Sequence, residues 1–289
     1  MEARHPNHPG EMGTDATMAE RARQPEEIHA RARAIELLQA EGVPFLVGGA
    51  YCYACYTGIY RDTKDLDLFP RKADAVRALE VLERDGWRTE RSDEVWIYKA
   101  FKGEYFVDFI FSSGNGVAVV DDQWFAHART GTVFGHQVQI APPEEMIWSK
   151  AFVLERERFD GSDVNHLLRA TGGRMDWDRL MRRFDRHWEV LLAHLMLFRF
   201  AYPSDREQVP GWVMVELMRR TGQSVREGDW EERVCRGNLL SKVNYGVDLS
   251  EWGYADGRRW DELRRIDQED QEGGTHGEGH VEAADSGGR

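Results

Sequence analysis

The segment "RDTKDLDLF" (61–69) sets two carboxylates, Asp65 and Asp67, one residue apart among Leu66, Leu68 and Phe69. Side chains alternate along a strand, so Asp65, Asp67 and Phe69 share one face and Leu66 and Leu68 the other. Two neighbouring carboxylates repel, and partial burial takes water from both, so the pair requires a positive partner. Lys64 or Arg61 could supply it as an ion pair. A divalent cation does so better, because hard cations take several oxygen ligands. A third acid, Asp108, stands alone within "YFVDFIF" (105–111). If the two strands are neighbours, the three acids converge. Three carboxylates can hold one or two Mg2+ ions, which clamp phosphate oxygens and stabilise an in-line displacement. A single acid on the wet face of an edge strand is ordinary. The pair together with the isolated third acid points to chemistry.

A glycine turn precedes the acids. "FLVGGA" (45–50) runs a short buried strand into Gly48-Gly49 and then a helix. Glycine lets a backbone approach a phosphate closely, and the helix N-terminus that follows offers free N–H groups and a favourable dipole. Gly-Gly alone is a weak signal. The order is what carries weight: Gly-Gly, helix, strand with two acids, then a later strand with one.

The elements that must hold these residues are readable from periodicity and punctuation. "PEEIHARARAIELLQAEG" (25–42) is an amphipathic helix, with Pro25 and two acids at its start and Gly42 at its end. "VPFLVGG" is a strand, "AYCYACYTGIY" a helix and "TKDLDLFP" a strand stopped by Pro70. "KADAVRALEVLERDGW" is a helix stopped by Gly86. "VWIYKAFKGEYFVDFIFS" is a hairpin turning at Lys102-Gly103-Glu104, and "TVFGHQVQIAPPEEM" gives one more strand before a helix. From Pro142 onward the pattern is helical: "PPEEMIWSKAFVLERERF", "DVNHLLRATG", "WDRLMRRFDRHWEVLLAHLMLFRFAY" and "GWVMVELMRRTG". The reading is α+β. A small mixed sheet with flanking helices (25–141) is followed by a helical unit (142–265). Both tails, 1–24 and 266–289, are expected to be disordered from their Gly- and charge-rich composition.

At Gly48-Gly49, Asp65-Leu66-Asp67 and Asp108 the chain resembles the nucleotidyltransferase superfamily with the DNA polymerase β-like fold, and within it the minimal branch that includes AbiEii-like toxins. The resemblance spans roughly 40–170. It implies a glycine turn that holds nucleotide phosphates and three acids that bind two Mg2+ ions. Asp108 would also activate the attacking hydroxyl, and Lys64 would join the nucleotide-binding set. Downstream, "PPEEMIWSKAFVLERERFDGSDVNHLL" looks like the branch's lysine-bearing helix followed by an acid near the start of the next helix. Lys150 and Asp163 take those positions, with Asp160 a competitor for the second. Lysine is a suitable point-charge partner for triphosphate oxygens. Two departures are Ala50, where many members carry serine, and the added "TGIY" before the acid strand. The implied activity is transfer of an NMP from an NTP to an acceptor hydroxyl. The acceptor could be a tRNA 3′ end as in toxin–antitoxin systems, a protein, or an antibiotic-like small molecule, and an antitoxin partner could exist. A non-catalytic nucleotide-binding regulator on the same fold is the alternative from another class. A glycosyltransferase reading of the two acids is disfavoured by the glycine turn and the short αβ unit.

Other motifs are weaker. Cys52 and Cys55 have metal-like spacing but no second pair, and read as small buried thiols. Arg179, Arg182, Arg183 and Arg186 fall at helical spacing opposite Leu180, Phe184, Trp188 and Leu191. They form either a solvated face or a positive stripe for an RNA backbone. The formal charge of −13 excludes a generally nucleic-acid-binding surface. Three cysteines argue against a disulfide framework. No apolar run reaches membrane-spanning length. A cytoplasmic, soluble protein is expected.

Overall fold

The chain is described by a computed structural model over residues 25–61, 63–227 and 233–258, so the calls on both tails lie outside the described residues. The described residues up to 227 belong to one compact unit, and 233–258 belong to a second. The division expected after residue 141 lies inside the first unit.

Seven strands form one mixed sheet: β1 (Leu46–Val47), β2 (Asp65–Phe69), β3 (Arg88–Asp93), β4 (Ile97–Lys102), β5 (Tyr105–Ile110), β6 (Arg129–Val133) and β7 (His136–Ile140). Their order across the sheet is β3-β4-β5-β2-β1-β7-β6. β1 runs antiparallel to β2 and parallel to β7, while β2 and β5 are parallel neighbours. Parallel neighbours cannot be joined by a hairpin. Here the crossover is α3 (Lys72–Arg84) followed by β3 and β4, with α1 (Pro25–Ala40) and α2 (Gly49–Thr57) earlier in the chain. The alternation read in β2 holds: Leu66 and Leu68 are fully buried, and Asp65 and Asp67 are half-buried on the other face. α1 and α3 pack on one another and on the sheet, burying Ala34, Ile35 and Leu38 from the first and Ala75, Ala78, Leu79 and Leu82 from the second.

Two strands escape the sequence pattern. β3, "RTERSD", is polar throughout and is a strand because its backbone pairs with β4 at the sheet edge. The single strand expected near "TVFGHQVQI" is a hairpin, β6 and β7. Phe134 and Gly135 both take positive φ, as a two-residue primed turn requires.

The helical part follows: α4 (Asp122–Ala126) precedes the last hairpin, then come α5 (Pro143–Ala151), α6 (Gly161–Thr171), α7 (Trp177–Phe184), α8 (Trp188–Ala201) and α9 (Gly211–Glu227). Two expected helices are shorter. "PPEEMIWSKAFVLERERF" is helical only to Ala151. The chain then doubles back through a Leu154–Phe159 bridge, closed by the Glu155 N–H donating to the Arg158 carbonyl at 2.8 Å. The long run 177–202 breaks between α7 and α8 at Asp185, whose φ is +41°. In the second unit Val234–Cys235 and Ala255–Asp256 pair as two short parallel strands. Among the described residues no helix is long and apolar enough to cross a membrane.

The arginines of α7 do not form one exposed stripe, which corrects the RNA-backbone reading. Arg179 is buried and ion-paired with Glu144 and Glu145, both themselves buried in the first turn of α5. Arg183 reaches Glu145 at 3.0 Å and Asp121 at 2.6 and 2.8 Å. Only Arg182 is exposed, and Arg186 is half-buried. A guanidinium turned inward onto carboxylates is not available to a phosphate backbone. The physical reason lies in α5, whose buried acids need cations more than solvent-facing ones do. Arg179→Ala should therefore lower unfolding stability by about 3–5 kcal/mol, since it takes the cation from buried Glu144 and leaves buried Glu145 with Arg183 alone. Arg182→Ala should change it by less than about 0.5 kcal/mol. Chemical denaturation of both variants tests this, and equal losses would restore the stripe.

Candidate active site

The acids are gathered by strand register. β2 and β5 pair in parallel with Asp67 opposite Asp108, so both side chains leave the same face of the sheet as Asp65. One carboxylate oxygen from each of Asp65, Asp67 and Asp108 lies within 4.8 Å of the others. Asp108 is buried, whereas Asp65 and Asp67 open on a cleft of about 530 Å3. Asp65 accepts a hydrogen bond from the Thr63 hydroxyl. Burial, then the charges of Asp65 and Asp108, push the Asp67 carboxyl up to about 7, against the pull of Lys150 and Arg158. Burial also raises Asp108, opposed by Lys99. Three hard oxygen donors this close, with negative charge that the protein leaves partly uncompensated at Asp67, fit a divalent cation. Among the described residues this is the group that could hold one.

The glycine turn is shaped by the same carboxylates. The Gly48 N–H donates to the Asp67 carbonyl at 2.9 Å, fixing the turn against β2. A Cβ on Gly49 would stand 1.7 Å from Asp67 Oδ2, and Gly49 has φ +52°. A Cβ on Gly48 would stand 1.7 Å from the Phe69 ring. Both positions exclude any side chain. They bring the N-terminus of α2, the positive end of its dipole, to the rim of the cleft beside Ala50.

The cleft also carries cations, each paired with an acid. Lys150, near the end of α5, donates to Asp160 at 3.1 Å and to Asp163 at 2.8 Å. Burial works against its charge, but the two acids more than offset this and hold the ammonium above its ordinary range. Asp160 is pushed up by burial yet kept below the carboxylate range by Arg158 and Lys150. Arg158 grips it with two hydrogen bonds of 3.1 Å. Asp163, buried in the first turn of α6, also pairs with Arg61. Arg61 lies over the Tyr53 ring, and the Tyr53 hydroxyl, raised to about 12 by burial, meets His166 Nδ1 at 2.6 Å. Burial lowers His166, which favours its neutral form.

Eight of the residues singled out from sequence thus face one cleft or its immediate edge: Gly48, Gly49, Asp65, Asp67, Asp108, Lys150, Asp160 and Asp163. Lys64 does not join them. It is exposed just before β2 and absent from the cleft lining. Its neighbours Arg61 and Thr63 line the cleft instead. Cys52 and Cys55 are buried free thiols on α2.

A family model described as "Uncharacterised nucleotidyltransferase" matches residues 14–201. The chain belongs to this family. The nucleotidyltransferase match names no branch within it, so the AbiEii-like assignment is not singled out. No curated protein sequence matches this nucleotidyltransferase. Among solved structures it is similar to the antibiotic-resistance factor ANT(2″)-Ia at 14% identity, covering 58% of this chain and 96% of that one, with a TM-score of 0.41. It is also similar to the lincosamide antibiotic adenylyltransferase LnuA in its lincomycin-bound form, at 16% identity over 50% and 96% of the two chains, TM-score 0.36. An antigenic nucleotidyltransferase-like protein from Paracoccidioides brasiliensis stands at 14% identity over 64% and 94%, TM-score 0.39.

Among the site residues that went unread in the sequence are Lys99, Arg158 and Ser112. Lys99 carried a usable signal. In "IYKAF" it is a lone charge in an apolar strand, the same anomaly that marked Asp108. Arg158 lay inside what read as a helix.

The raised Asp67 carboxyl has a sign that can be measured. Its folded value of about 7 exceeds the ordinary 3.8, so ionising it opposes folding. The penalty is absent below the unfolded value, grows as pH rises between the two, and is complete above 7. Without metal, Asp67→Asn should raise the melting temperature at pH 8 by on the order of 5 °C and change it little at pH 4. Thermal melts in chelator at both pH values check this. A variant that melts lower at pH 8 would mean that Asp67 is already compensated.

Proposed function

We propose that the chain is a Mg2+-dependent nucleotidyltransferase that moves an NMP from an NTP to an acceptor hydroxyl. The observation that carries this reading is the in-register meeting of Asp65, Asp67 and Asp108 in a cleft that Lys150 and Arg158 also line. Asp65 and Asp67 would hold the metal, with Asp108 completing the set. When bound, Mg2+ would neutralise phosphate oxygens and stabilise the charge developing during in-line displacement. The α2 N-terminus behind Gly48 and Gly49 offers N–H groups to the phosphates. Lys150, kept charged by Asp160 and Asp163, balances the triphosphate and the departing pyrophosphate. Asp108, whose affinity for a proton burial raises, accepts the proton of the attacking hydroxyl.

The acceptor is a separate matter. The arginine argument for a tRNA 3′ end weakens once Arg179 and Arg183 are engaged by carboxylates. The acceptor is therefore any hydroxyl that reaches Asp108 through the cleft: small molecule, RNA end or protein. A toxin role with an antitoxin partner is a reading of the RNA case alone. We place the protein in the cytoplasm, where its buried thiols stay reduced.

Incubation with each α-labelled NTP, Mg2+ and separate RNA, protein and small-molecule fractions reads both the activity and the acceptor. Asp67→Asn should lower label transfer by about 100-fold or more while the circular dichroism spectrum is retained. Transfer at the wild-type rate in that variant would remove the proposal.

A further inference from the structure

Lys99 faces Asp108 directly across β4 and β5, at a matched position of the antiparallel ladder. Its ammonium lies 2.7 Å from one Asp108 carboxylate oxygen and 2.9 Å from the other. That is the position a cation takes when it is shared by both oxygens of one carboxylate. The lysine stem runs along the Phe106 ring, with Nζ 5.1 Å from its centroid, and the side chain lines the cleft. Asp65 and Asp67 are in a different situation. Among the described residues neither has an ion-pair partner, and Asp65 accepts from the Thr63 hydroxyl alone. The three acids are therefore not equivalent. Among the described residues two face the cleft with no cation in ion-pair contact, and the third holds one that is covalently tethered to the next strand.

We propose that Lys99 is a built-in counter-ion that reserves Asp108, so that the nucleotide-free chain takes one divalent ion, at Asp65 and Asp67. This rests on the reading of the three acids as a metal site. A divalent ion that drew on Asp108 as well would compete with the ammonium already set against both of its oxygens. The displacement is sterically open, because Lys99 is partly exposed toward the cleft and its four methylenes let the head group swing without moving the strand. A nucleotide phosphate entering the cleft gives that head group an anion to move to, which frees Asp108 for a second ion or for the acceptor proton. Lys99 is a positioning residue in this scheme: it acts on the reaction through Asp108.

The test counts metal, not turnover. Mn2+ is titrated into the full chain without nucleotide at neutral pH, and free Mn2+ is followed by electron paramagnetic resonance. Wild type should bind one ion per chain. Lys99→Met should bind two, or bind the second roughly tenfold tighter than wild type does. Lys99→Arg, which keeps the charge, should match wild type. Lys99→Gln carries the same expectation as Lys99→Met should the methionine variant not fold. Equal stoichiometry and affinity in wild type and both neutral variants would overturn the role of Lys99 and leave the metal site standing. Absence of Mn2+ binding in wild type would overturn the metal site, and Lys99's role with it.

Discussion

Mutual repulsion among three carboxylates is the constraint that orders this molecule. The parallel pairing of β2 with β5 fixes Asp67 opposite Asp108 and leaves no freedom to separate them. A one-residue slip would move Asp65 and Asp67 to the face that holds Leu66 and Leu68, so the apolar packing of those leucines enforces the electrostatic crowding. The rest of the cleft responds to that crowding. Lys99 answers Asp108 from the adjoining strand, Thr63 answers Asp65, and Asp67 is left to whatever cation the cleft receives.

The cations of the cleft show the same logic with signs reversed. Lys150 is nearly buried, and an isolated buried ammonium would shed its proton. Asp160 and Asp163 prevent this, and each of them is held in turn by an arginine that reaches the surface. The charges are thus paired outward from the cleft to solvent in two short chains, Lys150–Asp163–Arg61 and Lys150–Asp160–Arg158. A cleft lined by both the three acids and these paired cations is suited to a ligand that brings both metal and phosphate.

How much of this was readable in the sequence depended on whether a residue broke its local pattern. Asp65, Asp67 and Asp108 stood out because charge interrupts apolar strands. Gly48 and Gly49 stood out because they punctuate a strand-to-helix turn. The mixed sheet with flanking helices followed from those elements. β3 was invisible because an edge strand of polar residues is specified by its partner's backbone, not by its own side chains. The end of α5 at Ala151 was hidden because the charged run after it keeps helical composition while its backbone turns on itself. The arginines of α7 misled for a related reason. Periodicity locates a face of a helix but does not say whether that face meets water or two buried glutamates.

Arg183 adds a mechanical corollary. It joins Glu145 in α5 to Asp121, whose own carboxylate caps α4 by accepting from the N–H groups of Gln123 and Trp124. One guanidinium thereby rivets the helical wall to the segment leaving the sheet. Parting the walls like a hinged clamshell would mean pulling charged groups out of a shielded joint. The nine-residue strap between Ala151 and Gly161 brings Arg158 to the cleft, and its guanidinium is held within the strap itself, by Asp160.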